Sequence, residues 1–226
     1  MIAKILDPLR TAGALLSVIR RDIRGVSLVE FALVLPVLLT LGLFGADIAR
    51  MVTVKLRVSQ IALSLADNAS RLGQTDNSGI TPTITEANVD AIVNGALREG
   101  EGIQLEQNGR IILSSLEYDD VTGKQFIHWQ RCRGEAVTES RYGNDSNNNG
   151  LNGSAITGLG SSDTKITAKS GQAVMFVEIE YNYDPLFENP FGTGGKTMRQ
   201  EAAFLTRDDR NLAPGLTGGT SNSSCG

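Results

Sequence analysis

The hydrophobic positions of the chain form one continuous apolar run near its start. From Val26 to Ala46 the sequence holds 21 residues with a single charge, Glu30. An α-helix of that length spans about 31 Å, close to the hydrocarbon thickness of a bilayer. Pro36 lies inside the run, and proline in a membrane helix is tolerated as a kink. The run predicts a transmembrane helix over residues 26–46.

Two other interpretations of the run fit less well. A secretory signal sequence would be shorter, and a small-residue cleavage site would follow it, whereas Asp47-Ile48-Ala49-Arg50 follows here. A buried helix of a globular protein would rarely run so far without a polar face. A membrane span therefore remains the favoured interpretation.

The charges that flank the run predict its orientation. Residues 1–25 carry a net charge of +3, from Lys4, Arg10, Arg20, Arg21 and Arg24 against Asp7 and Asp22. Because basic flanks stay in the cytoplasm, residues 1–25 are predicted to be a cytoplasmic leader. The chain would then be a single-pass protein of the inner membrane, with its C-terminal domain periplasmic or extracellular.

Helical periodicity continues beyond the span. Apolar residues recur at spacings of three and four at Val54, Val58, Ile61, Leu65, Ala69 and Leu72. This pattern predicts an amphipathic stalk helix over residues 47–73. Its apolar face would pack either against its own domain or against sister subunits, and the pattern leaves both open.

The remaining residues, 74–226, predict an external α+β domain. Thr85 begins a helical pattern that runs to about Glu99. Strand patterns follow at 110–118 and 124–131, which form a hairpin around 119–123, and at 172–183. Residues 197–206 fit a strand or a helix.

The predicted fold class is α+β, a long N-terminal helix followed by a small antiparallel sheet of about four strands. The Gly, Asn and Ser-rich stretches 143–172 and 207–226 are predicted to be mobile.

Composition and candidate chemistry argue against several functions. The net charge of −4 disfavours nucleic-acid binding, and one His with two Cys offers no metal cluster. His128 has no nucleophile to serve, so neither an enzyme nor a cofactor is expected.

The glycine-rich residues 192–197 lack the first glycine of a phosphate loop. Residues 145–150 match half of a calcium loop, but Ile156 stands where its bidentate carboxylate belongs, which leaves calcium binding open.

Cys132 and Cys225 are the two cysteines of the chain. In an external, oxidising compartment a disulfide between them is the natural expectation. Two free thiols would be expected only if the predicted orientation is wrong. The bridge would hold a C-terminal tail that has little apolar content of its own.

The junction between leader and span has a distinctive arrangement. The basic stretch at residues 20–24 runs into Gly25, and Glu30 lies five residues beyond that glycine. A cut after Gly25 would leave a free ammonium group on Val26. The Glu30 carboxylate could then pair with the amino terminus of a neighbouring subunit, which would offset the cost of burying each charge alone. Alternatively, Glu30 lies near enough to the head groups to stay partly hydrated.

The sequence from Gly25 through Pro36, with Gly42 and Gly45 beyond it, resembles the processing region of type IV pilin-like proteins. It is particularly similar to the TadE/TadG-like pseudopilins of tight-adherence (Flp) pilus systems. The resemblance covers residues 20 to about 72. It implies cleavage between Gly25 and Val26 by a prepilin peptidase, and a non-enzymatic role in building a surface pilus.

The partners that the resemblance implies are other pilins and pseudopilins, the inner-membrane assembly machinery and the lipid bilayer. The leading hypothesis is a minor pseudopilin that acts by lateral helix packing. The alternative is an uncleaved single-pass protein whose external domain binds a ligand or an envelope polymer.

Overall fold

The structure, a computed structural model, describes residues 25–73, 81–161, 165–187, 195–207, 210–219, 223 and 225. The chain divides into two compact units, residues 1–49 and residues 50–226. The predicted leader, except for Gly25, lies outside the described residues.

Helix α1 begins at Val26 and ends at Ser70. The described part of the first unit is the apolar N-terminal part of this helix, together with Gly25. Among the described residues, α1 is the one helix long and apolar enough to cross a membrane, and none of its most apolar window is buried. A core helix of a soluble protein would bury that window. The helix therefore indicates a single-pass membrane protein.

The second unit, residues 50–226 (the outer unit), combines the rest of α1 (its outer half) with a sheet and short helices. A pair of two-residue strands and two further α-helices accompany four longer strands. Their bounds are β1 Ile84–Thr85, α2 Glu86–Glu99, α3 Leu105–Asn108, β2 Gly109–Asp119, β3 Lys124–Arg133, β4 Val174–Tyr183, β5 Lys196–Leu205 and β6 Leu216–Thr217, with a 3-10 turn at Glu101–Ile103.

The four longer strands form one antiparallel sheet in the order β3-β2-β4-β5. The predicted hairpin is β2–β3, closed by the pair Asp119 and Lys124, with a register shift at Ser115/Leu116. Residues 197–206, for which helix and strand were both open, are largely β5, since the strand pairs with β4 along its whole length. The expected α+β class, a long N-terminal helix followed by a small antiparallel sheet, is confirmed.

The outer half of α1 packs on one face of this sheet. The apolar positions predicted from periodicity are buried from Val54 to Ala69, and Leu72 is partly buried against the same core. Their partners include Ile111, Trp129 and Met175 on the sheet and residues of α2. Packing against its own domain, one of the two options for the stalk helix, is thus what the structure contains.

Helix α2 begins where its sequence predicts. The Thr85 side chain accepts a hydrogen bond from the Asn88 N–H, and the Asn88 side chain accepts one from the Thr85 N–H. This reciprocal capping satisfies two N-terminal backbone donors that would otherwise lack partners. On the far side of the sheet a smaller cluster forms around Phe176, Leu116 and Leu159.

Candidate functional site

The candidate processing junction lies at the first turn of α1. Gly25 precedes the helix, and Val26 is its first residue, with 48% of its surface exposed. Gly25 is exposed too, and a Cβ added there would meet nothing within 4 Å. Among the described residues, therefore, none packs closely against Gly25, and Val26 is about half exposed.

Glu30 is an exposed residue of the same helix, four positions after Val26. Residues at this spacing share one helix face and differ by about 6 Å along the axis. The first turn of α1 contains no acidic side chain of its own. Glu30 is therefore the first carboxylate beyond the junction, on the side of the helix to which Val26 also points.

The middle of the apolar segment shows how the helix accommodates proline. Pro36 has no N–H, so the carbonyl of Ala32 loses its usual helical donor. One turn later the Thr40 hydroxyl donates to the Pro36 carbonyl. Gly42 and Gly45 follow, and a Cβ at either would enter open space. Packing within this chain does not require these glycines, which leave room for the backbone of a second helix.

The predicted disulfide between Cys132 and Cys225 is present, with a Cα–Cα distance of 4.7 Å. Two backbone contacts accompany it. The Cys132 N–H donates to the Ser223 carbonyl, and Arg110 Nη2 donates to the Cys225 carbonyl at 3.3 Å. The end of the chain is therefore fastened to the edge strand β3 and to β2.

An arginine that the sequence analysis did not single out connects three parts of the outer unit. Arg131 on β3 donates from Nε to Glu86 Oε2 at 2.9 Å, and its Nη1 lies 3.3 Å from Asp145 Oδ2. The hydrogen bond to Glu86 raises the pKa of Arg131 above its usual range. Asp145 also accepts from the Gln130 N–H at 2.9 Å.

These contacts bear on the calcium interpretation of residues 145–150. The Asp145 carboxylate, first in the half-motif, is already used by the N–H of Gln130 and by Arg131. Within the part of the chain that the structure describes, no group of three His, Cys, Asp or Glu side chains could hold a metal ion. The loop is instead held by asparagines: Asn144 Oδ1, for example, accepts from the N–H groups of Ser146 and Asn148.

A second arginine cluster joins β4 and β5 to the long loop. Arg199 forms ion pairs with Glu178 and with Glu201. From the loop, the Ser140 hydroxyl donates to Glu178, and the Tyr142 hydroxyl donates to Glu201 at 3.0 Å. Burial, and next the nearby Arg141, lower the pKa of Arg199. The sequence contains a signal for this cluster, because charged residues alternate along both strands, at Glu178 and Glu180 on β4 and at Arg199 and Glu201 on β5. Facing polar positions on adjacent strands pair across the sheet.

His128 on β3 forms a pair with Glu117 on β2. Its Nδ1 lies 2.9 Å from Glu117 Oε2, and the Ser115 hydroxyl donates to the other oxygen, Oε1, at 3.0 Å. The hydrogen bond with Glu117 raises the pKa of His128 above its ordinary value, against the opposing effect of burial. Because the protonation of His128 sets the strength of this contact, the pair with Glu117 is a pH-dependent structural contact.

The comparison with protein families assigns the N-terminal part of the chain. Residues 25–67 match the model of the family described as TadE-like protein. This match covers the junction, the apolar segment and most of the outer half of α1, and it confirms the resemblance seen in the sequence. No curated protein and no solved structure matches the chain significantly.

Proposed function

With the TadE-like match over residues 25–67 as the premise, we propose that the protein is a minor pseudopilin of a tight-adherence pilus system. The family suggests a Tad pilus-related membrane protein with an N-terminal helix, and it is not a known enzyme family. The specific role of a minor pseudopilin is our proposal. The apolar helix anchors the chain in the inner membrane and then packs laterally with helices of other pilins and pseudopilins.

The observation that carries this proposal is the contrast between the two halves of α1. In the outer half, one face is buried on the sheet, as at Val58 and Ile61. In the apolar half, large side chains such as Leu28 and Leu33 are at least 70% exposed. Water is a poor solvent for so much apolar surface, so lipid or neighbouring apolar helices must cover it. A protein that moves from bilayer to filament needs a helix that both environments accept.

Processing is the part of the proposal most directly open to test. A prepilin peptidase would cut between Gly25 and Val26, which removes residues 1–25. Mass spectrometry of membrane-extracted protein should then give a chain that begins at Val26 in cells with active peptidase and at Met1 in cells without it. A chain that begins at Met1 in both strains would contradict processing and favour the uncleaved alternative.

A variant pair sharpens this test. Gly25→Leu should block cleavage, because a bulky side chain replaces the small residue next to the bond, while the space around Gly25 keeps the helix undisturbed. Gly42→Leu is the matched control, since Gly42 is also surrounded by open space within the chain. Cleavage of Gly25→Leu at the wild-type level would refute Gly25 as the recognised residue.

The proposed role of Glu30 is to pair with the new amino terminus of a neighbouring subunit. In low dielectric such a pair is stable only when both charges are present, so Glu30→Gln should impair pilus assembly and leave the folded outer unit unchanged. Glu101→Gln, an exposed position in the outer unit, is the control. Normal piliation in Glu30→Gln would rule out the pairing role.

A further inference from the structure

A groove in the outer unit lies between α1 and the start of β5. Its volume is about 300 Å³. Three apolar side chains, two lysines and a threonine form most of its lining: Met51, Val52, Lys55, Lys196, Thr197 and Met198. The described residues that line it include no carboxylate. The groove thus combines an apolar floor with two ammonium groups, as a site for a phosphate that carries an acyl chain would.

Sequence spacing places the α1 residues of this groove just beyond the apolar run. Met51 follows Ala46, the last residue of the apolar run, by five positions, and Lys55 follows it by nine. Along a continuous helix these steps rise about 8 and 14 Å, and the polar region of a bilayer adds about 5–8 Å beyond each side of the hydrocarbon core. A lysine stem easily spans the remaining distance.

The end of β4 supplies apolar side chains close to the same part of α1. Arg50 Nη1 donates to the Asp184 carbonyl at 3.3 Å, and its guanidinium lies over the Tyr183 ring at 5.6 Å from the centroid. These contacts hold the end of β4 beside the helix turn at residue 50. Directly after it, Leu186 and Phe187 are 49% and 43% exposed.

We propose that this surface is a lipid-binding site: the groove takes the phosphate of an anionic phospholipid, and Leu186 and Phe187 enter the adjacent bilayer interface. The inference rests on the proposed membrane anchoring of α1. Lys55 and Lys196 neutralise the phosphate, Thr197 lies beside it, and Met51 and Met198 form part of the apolar floor of the groove. The site would fix the orientation of the outer unit at the membrane before assembly.

Native mass spectrometry of the detergent-solubilised full chain tests the groove. With phosphatidylglycerol and phosphatidylcholine added in equal amounts, the wild type should retain phosphatidylglycerol preferentially. The double variant Lys55→Gln/Lys196→Gln should bind it about 5- to 25-fold more weakly, since each lysine near an anionic surface is worth about fivefold. Lys124→Gln/Lys169→Gln removes the same charge elsewhere on the outer unit and should bind as the wild type does.

Three results would overturn the proposal: no preference for the anionic lipid, an equal loss in both double variants, or a protein dimer in place of lipid retention. A dimer that only Lys55→Gln/Lys196→Gln abolishes would assign the groove to a second copy of the chain.

Spin labels on the full chain in nanodiscs test the apolar part. A label at Phe187→Cys should collide more with oxygen than with a water-soluble nickel chelate, and a label at Val121→Cys, where the side chain is 93% exposed, should show the reverse. A label at Leu38→Cys reports insertion of α1 separately. If Leu38→Cys is lipid-exposed and Phe187→Cys is water-exposed, the interface proposal fails and the anchoring stands. If Leu38→Cys is water-exposed, the anchoring itself fails.

Discussion

Removal of the Cys132–Cys225 disulfide should weaken the outer unit more than any single exposed substitution. The bridge joins residues 93 positions apart. In the chain-entropy model, a closed loop of that size stabilises the folded state by about 4.6 kcal/mol at 25 °C. Since engineered and native bridges often deliver less, we expect Cys132→Ser/Cys225→Ser to lower the free energy of unfolding by about 3–5 kcal/mol. That is a large part of the 5–15 kcal/mol typical of a domain.

The single Trp of the chain provides the assay. Trp129 lies on β3 in the core, 5% exposed, three residues before Cys132. Its fluorescence during urea unfolding of the full chain in mild detergent should report the loss of the sheet. The midpoint should fall to similar values in the serine double variant and in the wild type treated with a thiol reductant.

Two controls separate the bridge from other causes. Reductant should not change the double variant, because that variant has no disulfide to lose. Limited proteolysis should show that cleavage in the tail precedes cleavage in the sheet once the bridge is gone, since the bridge is the covalent link that holds Cys225 to β3. A double variant that unfolds within about 1 kcal/mol of the oxidised wild type would refute the loop-closure reasoning.

Three further predictions concern the same unit. The raised pKa of His128 means that its pair with Glu117 stabilises fully below about pH 6.5, and that this contribution is lost as pH rises through the folded pKa. The free energy of unfolding should therefore be lower at about pH 8.5 than at about pH 5.5, by an amount that His128→Gln lacks. Arg210→Met should cost about 1–3 kcal/mol, because Nη2 of this buried arginine donates at 2.8 Å to the last carbonyl of α1. Gly134→Ala should cost at least about 2 kcal/mol, since φ is +110° and a Cβ would lie 2.2 Å from a backbone oxygen.

Each of these has a control of matched chemistry. Arg207→Met removes an arginine whose side chain is 45% exposed, so its loss should stay below about 1 kcal/mol. Gly171→Ala has a positive φ of +74° but open space, so it should cost less than Gly134→Ala. Parallel pH profiles for the wild type and His128→Gln, or equal losses within either substitution pair, would contradict the stated causes.

Periodicity carried most of the information about the fold. The buried stripe of α1 from Val54 to Ala69 was readable because apolar side chains at spacings of three and four share one helix face. The β2–β3 hairpin and β4 were readable for the corresponding reason in strands. Residues 197–206 stayed ambiguous because their pattern is mixed: β5 is an edge strand that carries Arg199 and Glu201 of the arginine cluster. Pairing with β4 decides the conformation there, and pairing is not a local property.

The arginine clusters are contacts that local sequence patterns cannot predict. Arg131 forms a hydrogen bond with Glu86, which lies 45 positions away in the sequence, and Arg199 and Tyr142 both contact Glu201. Each partner taken alone appears as an ordinary surface charge. Only the fold brings them together. Burial then raises the cost of breaking a pair, because a charge removed from water needs a partner. The candidate junction is the opposite case, since Gly25, Val26 and Glu30 are neighbours in sequence.

Two independent observations support the proposed orientation of the chain. The first is the net charge of residues 1–25, which favours a cytoplasmic N-terminus through the energetics of insertion. The second is the disulfide in the outer unit, which lies beyond the apolar helix and persists only where thiols are oxidised. Neither depends on the other: one concerns arginines before the span, and the other the spacing of two cysteines after it. A cytoplasmic outer unit would leave Cys132 and Cys225 reduced and, by the loop-closure estimate, the unit several kcal/mol less stable. The same bridge that fastens the tail therefore favours an oxidising compartment as the place where this unit folds.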